Sequence, residues 1–220
     1  HGLSAGEHLS ETIRTEWADK TGTALHQALG MSECSTFVSS SPTHAAPANT
    51  SGRPQPGRKV AILNGGKPVG YDEAGVLAIS TRDPGLMIGY LNAAPLTGDW
   101  FETGDMARMA PDGTITYLGR RDDMMNAGGF RVSPLEVEAC FTGIEDLHAC
   151  AAVAVEIKTD TDVIALFYTG PADEQALRAH ADQNLARYKQ PRLYIPKAEL
   201  AYGANGKLNR RALRASFEAS

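Results

Sequence analysis

Apolar residues along this chain fall mostly in short runs broken by Gly, Pro, Asn and Asp, and helical periodicity shows at only a few places. Residues 23–29, Thr-Ala-Leu-His-Gln-Ala-Leu, read as a buried strand leading into Gly30-Met31-Ser32-Glu33. Residues 60–63 and 76–79 predict two short strands, the first closed by Asn64-Gly65-Gly66, and residues 106–118 a hairpin around Pro111-Asp112-Gly113. Residues 148–157 and 163–168 predict a further strand pair joined by a polar turn containing Lys158-Thr159-Asp160. Helical spacing appears at Ile13 and Trp17, stopped by Thr21-Gly22, and again at Val137, Cys140, Phe141 and Ile144. A third helix follows Asp173, with Leu177, Ala181 and Leu185 on one face. Strands and helices thus mix without a regular βα alternation, which predicts the α+β class.

Composition sets outer bounds. At 220 residues with 42% hydrophobic content, the chain can bury a real core as one large or two small domains. A formal charge of −5 gives no support for nucleic acid as a partner of the whole surface. No apolar run approaches a membrane span. Cys34, Cys140 and Cys150 are sparse and lack CxxC spacing, so a reduced, cytoplasmic setting is expected and metal binding through thiolates is not. From Arg187 to Arg214 there are eight basic residues and one acid, Glu199, which reads either as a solvated basic face or as a surface turned to an anion.

The densest stretch of polar chemistry is Gly119-Arg120-Arg121-Asp122-Asp123-Met124-Met125-Asn126-Ala127-Gly128-Gly129-Phe130-Arg131-Val132-Ser133-Pro134-Leu135-Glu136-Val137-Glu138. Its middle predicts a short hairpin whose glycines let the backbone take positive φ and let another molecule lie close. Ser133, Pro134 and Glu136 start a helix: an N-cap, a proline at the first helical position and the carboxylate of a capping box. A generic corner of this composition would be a hairpin, a helix and surface ion pairs. The order Gly-Arg-x-Asp-Asp, Asn, Gly-Gly-Phe-Arg-Val, Ser-Pro-x-Glu-Val-Glu, however, closely resembles the hinge motif of the adenylate-forming enzymes, the superfamily of AMP-forming acyl- and aryl-CoA synthetases, luciferase and peptide-synthetase adenylation domains.

Other segments fit the same resemblance. Gly30-Met31-Ser32-Glu33 resembles the family's Gly-x-Thr-Glu, which implies that Gly30 and Ser32 meet the nucleotide phosphates and Glu33 holds Mg²⁺; Leu29 stands where an aromatic is common. On four residues alone, a helix cap is the commoner use of a Ser-Glu pair. Trp100-Phe101-Glu102-Thr103-Gly104-Asp105 resembles the aromatic-x-Thr-Gly-Asp segment, giving Asp105 the ribose hydroxyls, a role suited to a carboxylate with two acceptor oxygens. By itself a Thr-Gly-Asp reads as a turn. Ser51-Gly52-Arg53-Pro54-Gln55-Pro56-Gly57 is similar to the segment that precedes a barrel-like subdomain. Asn205-Gly206-Lys207-Leu208-Asn209-Arg210-Arg211 resembles the terminal Gly-Lys motif, which makes Lys207 the lysine of adenylate formation, although Leu200-Ala201-Tyr202-Gly203 replaces the usual Leu-Pro-x-Thr.

The resemblance implies an organisation and a reaction. Residues 1–121 would close a large AMP-binding domain, with a helix and strand piece at 1–50 and a small distorted antiparallel barrel at 51–119. Residues 122–220 would form a small mobile α/β domain hinged near Asp122. A carboxylate and ATP give an acyl-adenylate, and CoA then takes the acyl group. Arg120 would meet the ribose, Gly129 would let the thiol arm pass, and Arg131 would serve the thiolation face. The family's Ser/Thr/Gly-rich phosphate loop has no counterpart, since Ser39-Ser40-Ser41-Pro42-Thr43 lacks glycine and lysine, and the first residue is His1. The expectation is therefore the C-terminal part of such a ligase, inactive alone, whose partners are a small carboxylic acid, ATP, CoA and the N-terminal part of the same protein, with a homodimer left open. Two alternatives stand beside it: an adenylation enzyme that loads a carrier protein, and a non-catalytic interaction module.

Overall fold

The computed structural model describes residues 1–6, 9–127, 129–158, 161–204 and 206–218 and is of the mixed α+β class, with four helices and four sheets among those residues. It divides into two compact units, His1–Arg121 and Asp122–Ser220. Gly128, Thr159, Asp160 and Asn205, each part of a segment singled out in the sequence, lie outside the described residues.

The first unit opens with a parallel pair, β1 (Gly2–Ala5) and β2 (Leu25–Met31), joined by helix α1 (Glu11–Thr21). Ser10 caps α1 by accepting a hydrogen bond from the Ile13 amide, and Gly22, at φ 65°, ends it by donating to the Ala18 carbonyl. No residue of α1 is buried; Ile13 and Trp17, whose spacing announced the helix, are 55% and 40% exposed. β3 (Ser35–Ser39) and β4 (Arg53–Pro54) complete this sheet in antiparallel order. A second, antiparallel sheet contains β5 (Val60–Asn64), β6 (Lys67–Pro68), β7 (Gly75–Ser80), β8 (Trp100–Met109) and β9 (Ile115–Arg120), in the order β6-β5-β7-β8-β9.

The expected barrel is an open sheet. Its edges are β6, only two residues long, and β9, whose outer side takes a single bridge from Gly52 to Ile115. Closure would need a long outer strand on each edge to pair with the other. The sheet instead packs face to face on the first one: Ile62, Leu77, Ile79, Ala107 and Ile115 meet Cys34, Phe37 and Val38.

In the second unit β10 (Met125–Ala127) and β11 (Phe130–Val132) form the hairpin, followed by α2 (Pro134–Cys140). Ser133 accepts from the Glu136 amide, as the capping pattern predicts. α2 stops at Cys140, one turn earlier than the apolar spacing suggests; Phe141 and Ile144 follow in turns yet still pack into the core. β12 (Ala149–Lys158) and β13 (Thr161–Thr169) pair antiparallel, α3 (Glu174–Asn184) follows, and β14 (Leu193–Pro196) lies parallel to β13. α4 (Arg210–Glu218) ends the described chain. The period of two along β12 separates two cores. Ala152 and Ala154 face α2, α3 and the hairpin, whereas Ala151, Val153 and Val155 face Leu213 and Phe217 of α4.

One buried ion pair staples the two sheets of the first unit. Arg58 donates to Asp83 at 2.5 Å and to the carbonyls of Cys34 and Thr36 at 3.1 and 3.0 Å, and the Asp83 side chain is fully buried. Gly85 makes this possible, because a Cβ there would stand 1.6 Å from Arg58 Nη1. Burial alone would raise the Asp83 pKa, but the amides of Gly85 and Lys59 and the Arg58 guanidinium outweigh it and hold the carboxyl below its ordinary 3.8. A carboxylate with a depressed folded-state pKa contributes stability that is fully present above the ordinary value and is lost as pH falls through the folded one. Asp83→Ala strands a buried guanidinium and should lower stability by about 3–5 kcal/mol in urea unfolding at neutral pH. Asp83→Asn should in addition flatten the loss of stability below pH 4 relative to the parent chain.

Candidate functional site

Asp105 sits on β8 at a place where both neighbouring ladders slip. On one side Val76 pairs with Met106 and Ala78 with Glu102, so that Thr103, Gly104 and Asp105 together oppose Leu77; on the other, Met106 pairs with Gly119 and Ala107 with Tyr117. Extra residues at a bulge bend the strand and re-aim its side chains. Gly104 carries the bend at φ 76°, and a Cβ there would meet the Arg120 guanidinium at 3.1 Å. The Thr103 hydroxyl fixes the geometry by donating to the Leu77 carbonyl at 2.9 Å while accepting from the Asp105 amide at 3.1 Å. Thr-Gly-Asp is therefore a bulge inside a ten-residue strand and not a free turn.

The bulge brings two of the expected residues together. Asp105 and Arg120 are cross-strand partners, and Arg120 Nη1 donates to Asp105 Oδ1 at 2.8 Å and to the Thr103 carbonyl at 3.2 Å. The Asp105 side chain is 11% exposed and the Arg120 side chain 54%. The tyrosine hydroxyl of Tyr117 also addresses Oδ1, at 3.5 Å. Sequence reasoning missed Tyr117, although its position three residues before Arg120 puts it on the same strand.

Gly30, Ser32 and Glu33 lie where β2 turns into β3, not in a helix cap. Gly30 is needed for its smallness: a Cβ would stand 2.8 Å from the Ser35 carbonyl oxygen. Ser32 is exposed and Glu33 half-buried. The Tyr90 hydroxyl donates to Glu33 Oε1 at 2.7 Å, and the Met87 amide donates to the Glu33 carbonyl at 2.7 Å. These contacts seat the 85–92 segment against the turn between β2 and β3. The hydrogen bond to Glu33 pushes the Tyr90 phenol above its usual pKa, so the hydroxyl stays a donor.

In the second unit Asp122 is exposed in a 3₁₀ turn, Arg121–Asp123. Gly129, at φ 85° and with open space where a Cβ would be, is at the hairpin turn, and Arg131 is exposed opposite Asn126. Phe130 stacks on Tyr188 with ring centroids 4.4 Å apart. A cleft of about 440 Å³ is lined by Ala127 of the hairpin together with Asp162, Arg187, Tyr188 and Arg192. Lys207 is exposed in a tight loop closed by the Tyr202–Leu208 bridge, where the Gly203 amide donates to the Lys207 carbonyl at 2.7 Å.

That loop is anchored by residues the sequence reading left unassigned. Arg210 Nη2 donates to both oxygens of Glu138, at 2.6 and 2.8 Å; Glu138 also accepts from the Ala152 amide at 2.8 Å, and Arg210 Nη1 lies 4.0 Å from Asp123. Burial pushes the Glu138 carboxyl above its usual pKa, against the pull of Arg210 and the Ala152 amide. The pair joins α2, β12 and the start of α4 three residues beyond Lys207.

Residues 1–91 match the family model of the AMP-binding enzyme. The chain is 32% identical over 211 residues to 2-succinylbenzoate–CoA ligase of Geobacillus kaustophilus, a match covering 90% of this chain and 42% of that ligase. Over 227 residues it is 31% identical to benzoate–CoA ligase of Thauera aromatica, covering 97% and 43%. Among solved structures, the anthranilate CoA ligase AuaEII in complex with anthranoyl-AMP superposes with a TM-score of 0.87 at 27% identity, over 97% of this chain and 44% of that one. The chain spans less than half the length of these relatives. No helix among the described residues is long and apolar enough to cross a membrane.

Glu138→Ala should leave the Arg210 guanidinium buried without its carboxylate and release the loop it anchors. Hydrogen exchange at the Gly203 and Asn209 amides is expected to accelerate well beyond that of the β12–β13 ladder; uniform acceleration across the second unit would show that the pair holds the whole unit and not the loop.

Proposed function

We propose that this chain supplies the C-terminal part of an AMP-forming acyl- or aryl-CoA ligase, which joins a carboxylic acid to ATP and then to CoA. The observation that carries the reading is the Asp105–Arg120 pair, held on a double bulge in a chain that matches the AMP-binding family model and whose relatives are CoA ligases. Arg120 and Tyr117 engage Oδ1 of Asp105, which leaves Oδ2 to accept from vicinal ribose hydroxyls. Gly30 and Ser32 offer an exposed turn to the phosphates. Glu33 suits Mg²⁺, because Tyr90 occupies one carboxylate oxygen and the other remains for a cation that takes one or two protein carboxylates and completes its shell with phosphate and water. Bound there, Mg²⁺ would neutralise phosphate charge.

In the first half-reaction a carboxylate oxygen of the acid bonds to the α-phosphorus and pyrophosphate leaves. Lys207, a flexible point charge on an anchored loop, stabilises the charge that gathers on the phosphate and carboxylate oxygens. In the second half the CoA thiolate bonds to the acyl carbon and AMP leaves. Between the halves the second unit turns about Asp122, whose exposed 3₁₀ turn absorbs the change in φ and ψ. Gly129 gives the thiol arm a backbone without a side chain, Arg131 serves the same face, and Arg187 and Arg192 in the adjoining cleft suit the CoA phosphates. Residues 1–121 are in this reading the end of the large AMP-binding domain, with the open antiparallel sheet standing for its barrel-like subdomain.

Calorimetric titration of the chain with AMP and with ATP·Mg²⁺, beside Asp105→Ala, tests the nucleotide site directly: binding that survives Asp105→Ala unchanged refutes it. In the complete ligase, Lys207→Ala should lower adenylate formation ~10²-fold or more, the scale of one preorganised charge-stabilising donor. Thioester formation from preformed adenylate should persist, and an equal loss in both halves would refute the role given to Lys207. Offering CoA beside a holo-carrier protein identifies the thiol acceptor.

A further inference from the structure

Four buried side-chain nitrogens among the described residues have no hydrogen-bond partner, and three of them, Arg14 Nε, Arg14 Nη2 and His26 Nε2, belong to residues lining one cleft. This cleft, of about 340 Å³, lies between α1 and β2, with Thr15, Ala18, Ala24, Leu25, Ala45 and Ala46 among its walls. It is separate from every residue assigned above to nucleotide, lysine or thiol chemistry. Arg14 is not idle: its Nη1 meets Glu11 Oε1 at 3.3 Å, and the same carboxylate oxygen accepts from the Asn49 amide at 2.9 Å. That pairing uses one corner of the guanidinium. The opposite edge, Nε with Nη2, is the two-donor fork that matches a planar carboxylate, and it is unmatched.

A largely buried guanidinium edge is costly until acceptor oxygens meet it, and a charge-assisted pair with an anion is the stronger way to do so. His26 is 6% exposed, and burial, the neighbouring Arg14 and the N-terminal amine all push its imidazole toward the neutral form. A neutral ring can still donate from Nε2. Of the two hydroxyl residues in the lining, Thr15 is exposed and Ser40 is committed to Gln27, whose amide donates to its hydroxyl at 3.0 Å. One guanidinium edge and one imidazole among alanine and leucine walls suit a singly charged acceptor; a phosphate dianion would need more donors.

We infer that this cleft binds a small monocarboxylate, its oxygens on the Nε–Nη2 edge of Arg14 with His26 as a further donor, and its compact apolar body against Ala18, Ala24 and Leu25. The site lies outside the proposed reaction and is read without turnover, so it stands or falls independently of the ligase reading.

The test is NMR of the 220-residue chain, following Arg14 Nε–H and the His26 ring while sodium benzoate is added, with sodium chloride at equal ionic strength and benzamide as the uncharged isostere. The expected result is a saturable shift with benzoate and none with benzamide. Arg14→Gln should weaken binding at least tenfold, and Arg14→Lys, which keeps the charge but lacks the fork, should do the same with its fold checked by circular dichroism. Shifts that stay linear to the solubility limit, equal binding of benzamide, or undiminished affinity in a folded Arg14→Lys variant would overturn the inference. So would the same perturbation appearing on raising protein concentration without carboxylate, since that assigns the fork to an acidic side chain of a second copy.

Discussion

Strand β8 has to satisfy two demands that a regular ladder cannot meet together. It runs through the sandwich of the first unit, with Ala107 fully buried, and two residues earlier it must hold the mostly covered Asp105 carboxylate beside a half-open arginine. Alternation would serve a single face, but three consecutive residues, Thr103, Gly104 and Asp105, stand against one residue of β7, and β9 slips beside them. The bulge spends one backbone irregularity to turn Asp105 toward Arg120 and leaves the apolar register intact on either side. The ribose contact proposed for Asp105 depends on that local departure from regular pairing.

Three of the arginine–carboxylate pairs show how exposure separates scaffold from chemistry. Arg58–Asp83 and Arg210–Glu138 are largely buried, multiply hydrogen-bonded and placed where several elements meet; removing one partner strands a charge, so they fix structure. Arg120–Asp105 pairs a carboxylate that is mostly covered with a guanidinium that is half open to solvent. A pair of that kind contributes little to stability. Its carboxylate is nevertheless held in place through Oδ1 by Arg120 and Tyr117, which leaves Oδ2 outside the pair. The same geometry of donor and acceptor thus serves two ends, and the difference lies in how much water the pair keeps.

Much of this was legible in the sequence where the signal was local. Ser133, Pro134 and Glu136 announced the start of α2, Asp173 that of α3, and Pro111-Asp112-Gly113 the turn between β8 and β9, because caps and turns are decided within a few residues. The motif order around Gly119 to Glu138 carried the family resemblance. What escaped was non-local or overridden by packing. β1 and β14 are four-residue strands whose existence depends on parallel partners far along the chain, and Ile13 and Trp17 kept helical spacing without a core to face. Tyr90 meets Glu33 across 57 residues and Arg210 meets Glu138 across 72, distances over which no spacing rule speaks. Thr-Gly-Asp looked like a turn because glycine at positive φ serves turns and bulges alike.

The role proposed for Lys207 would call on the same separation of rigid and mobile parts. A lysine that must reach a developing charge and later withdraw needs a flexible side chain, but its backbone must not wander, since a loosely held charge loses the advantage of preorganisation. The loop from Tyr202 to Leu208 supplies the first requirement by exposing the side chain at a short turn. Arg210, a step beyond it, supplies the second, clamped to Glu138 and through it to the Ala152 amide in the middle of β12. Asp123 lies at the edge of that clamp and beside Asp122, so the turn proposed as the hinge and the loop carrying the lysine share one anchor. A rotation that begins at Asp122 would therefore carry Lys207 with the frame of the second unit, and the lysine's reach would be set by the turn of the unit and not by movement of its own loop.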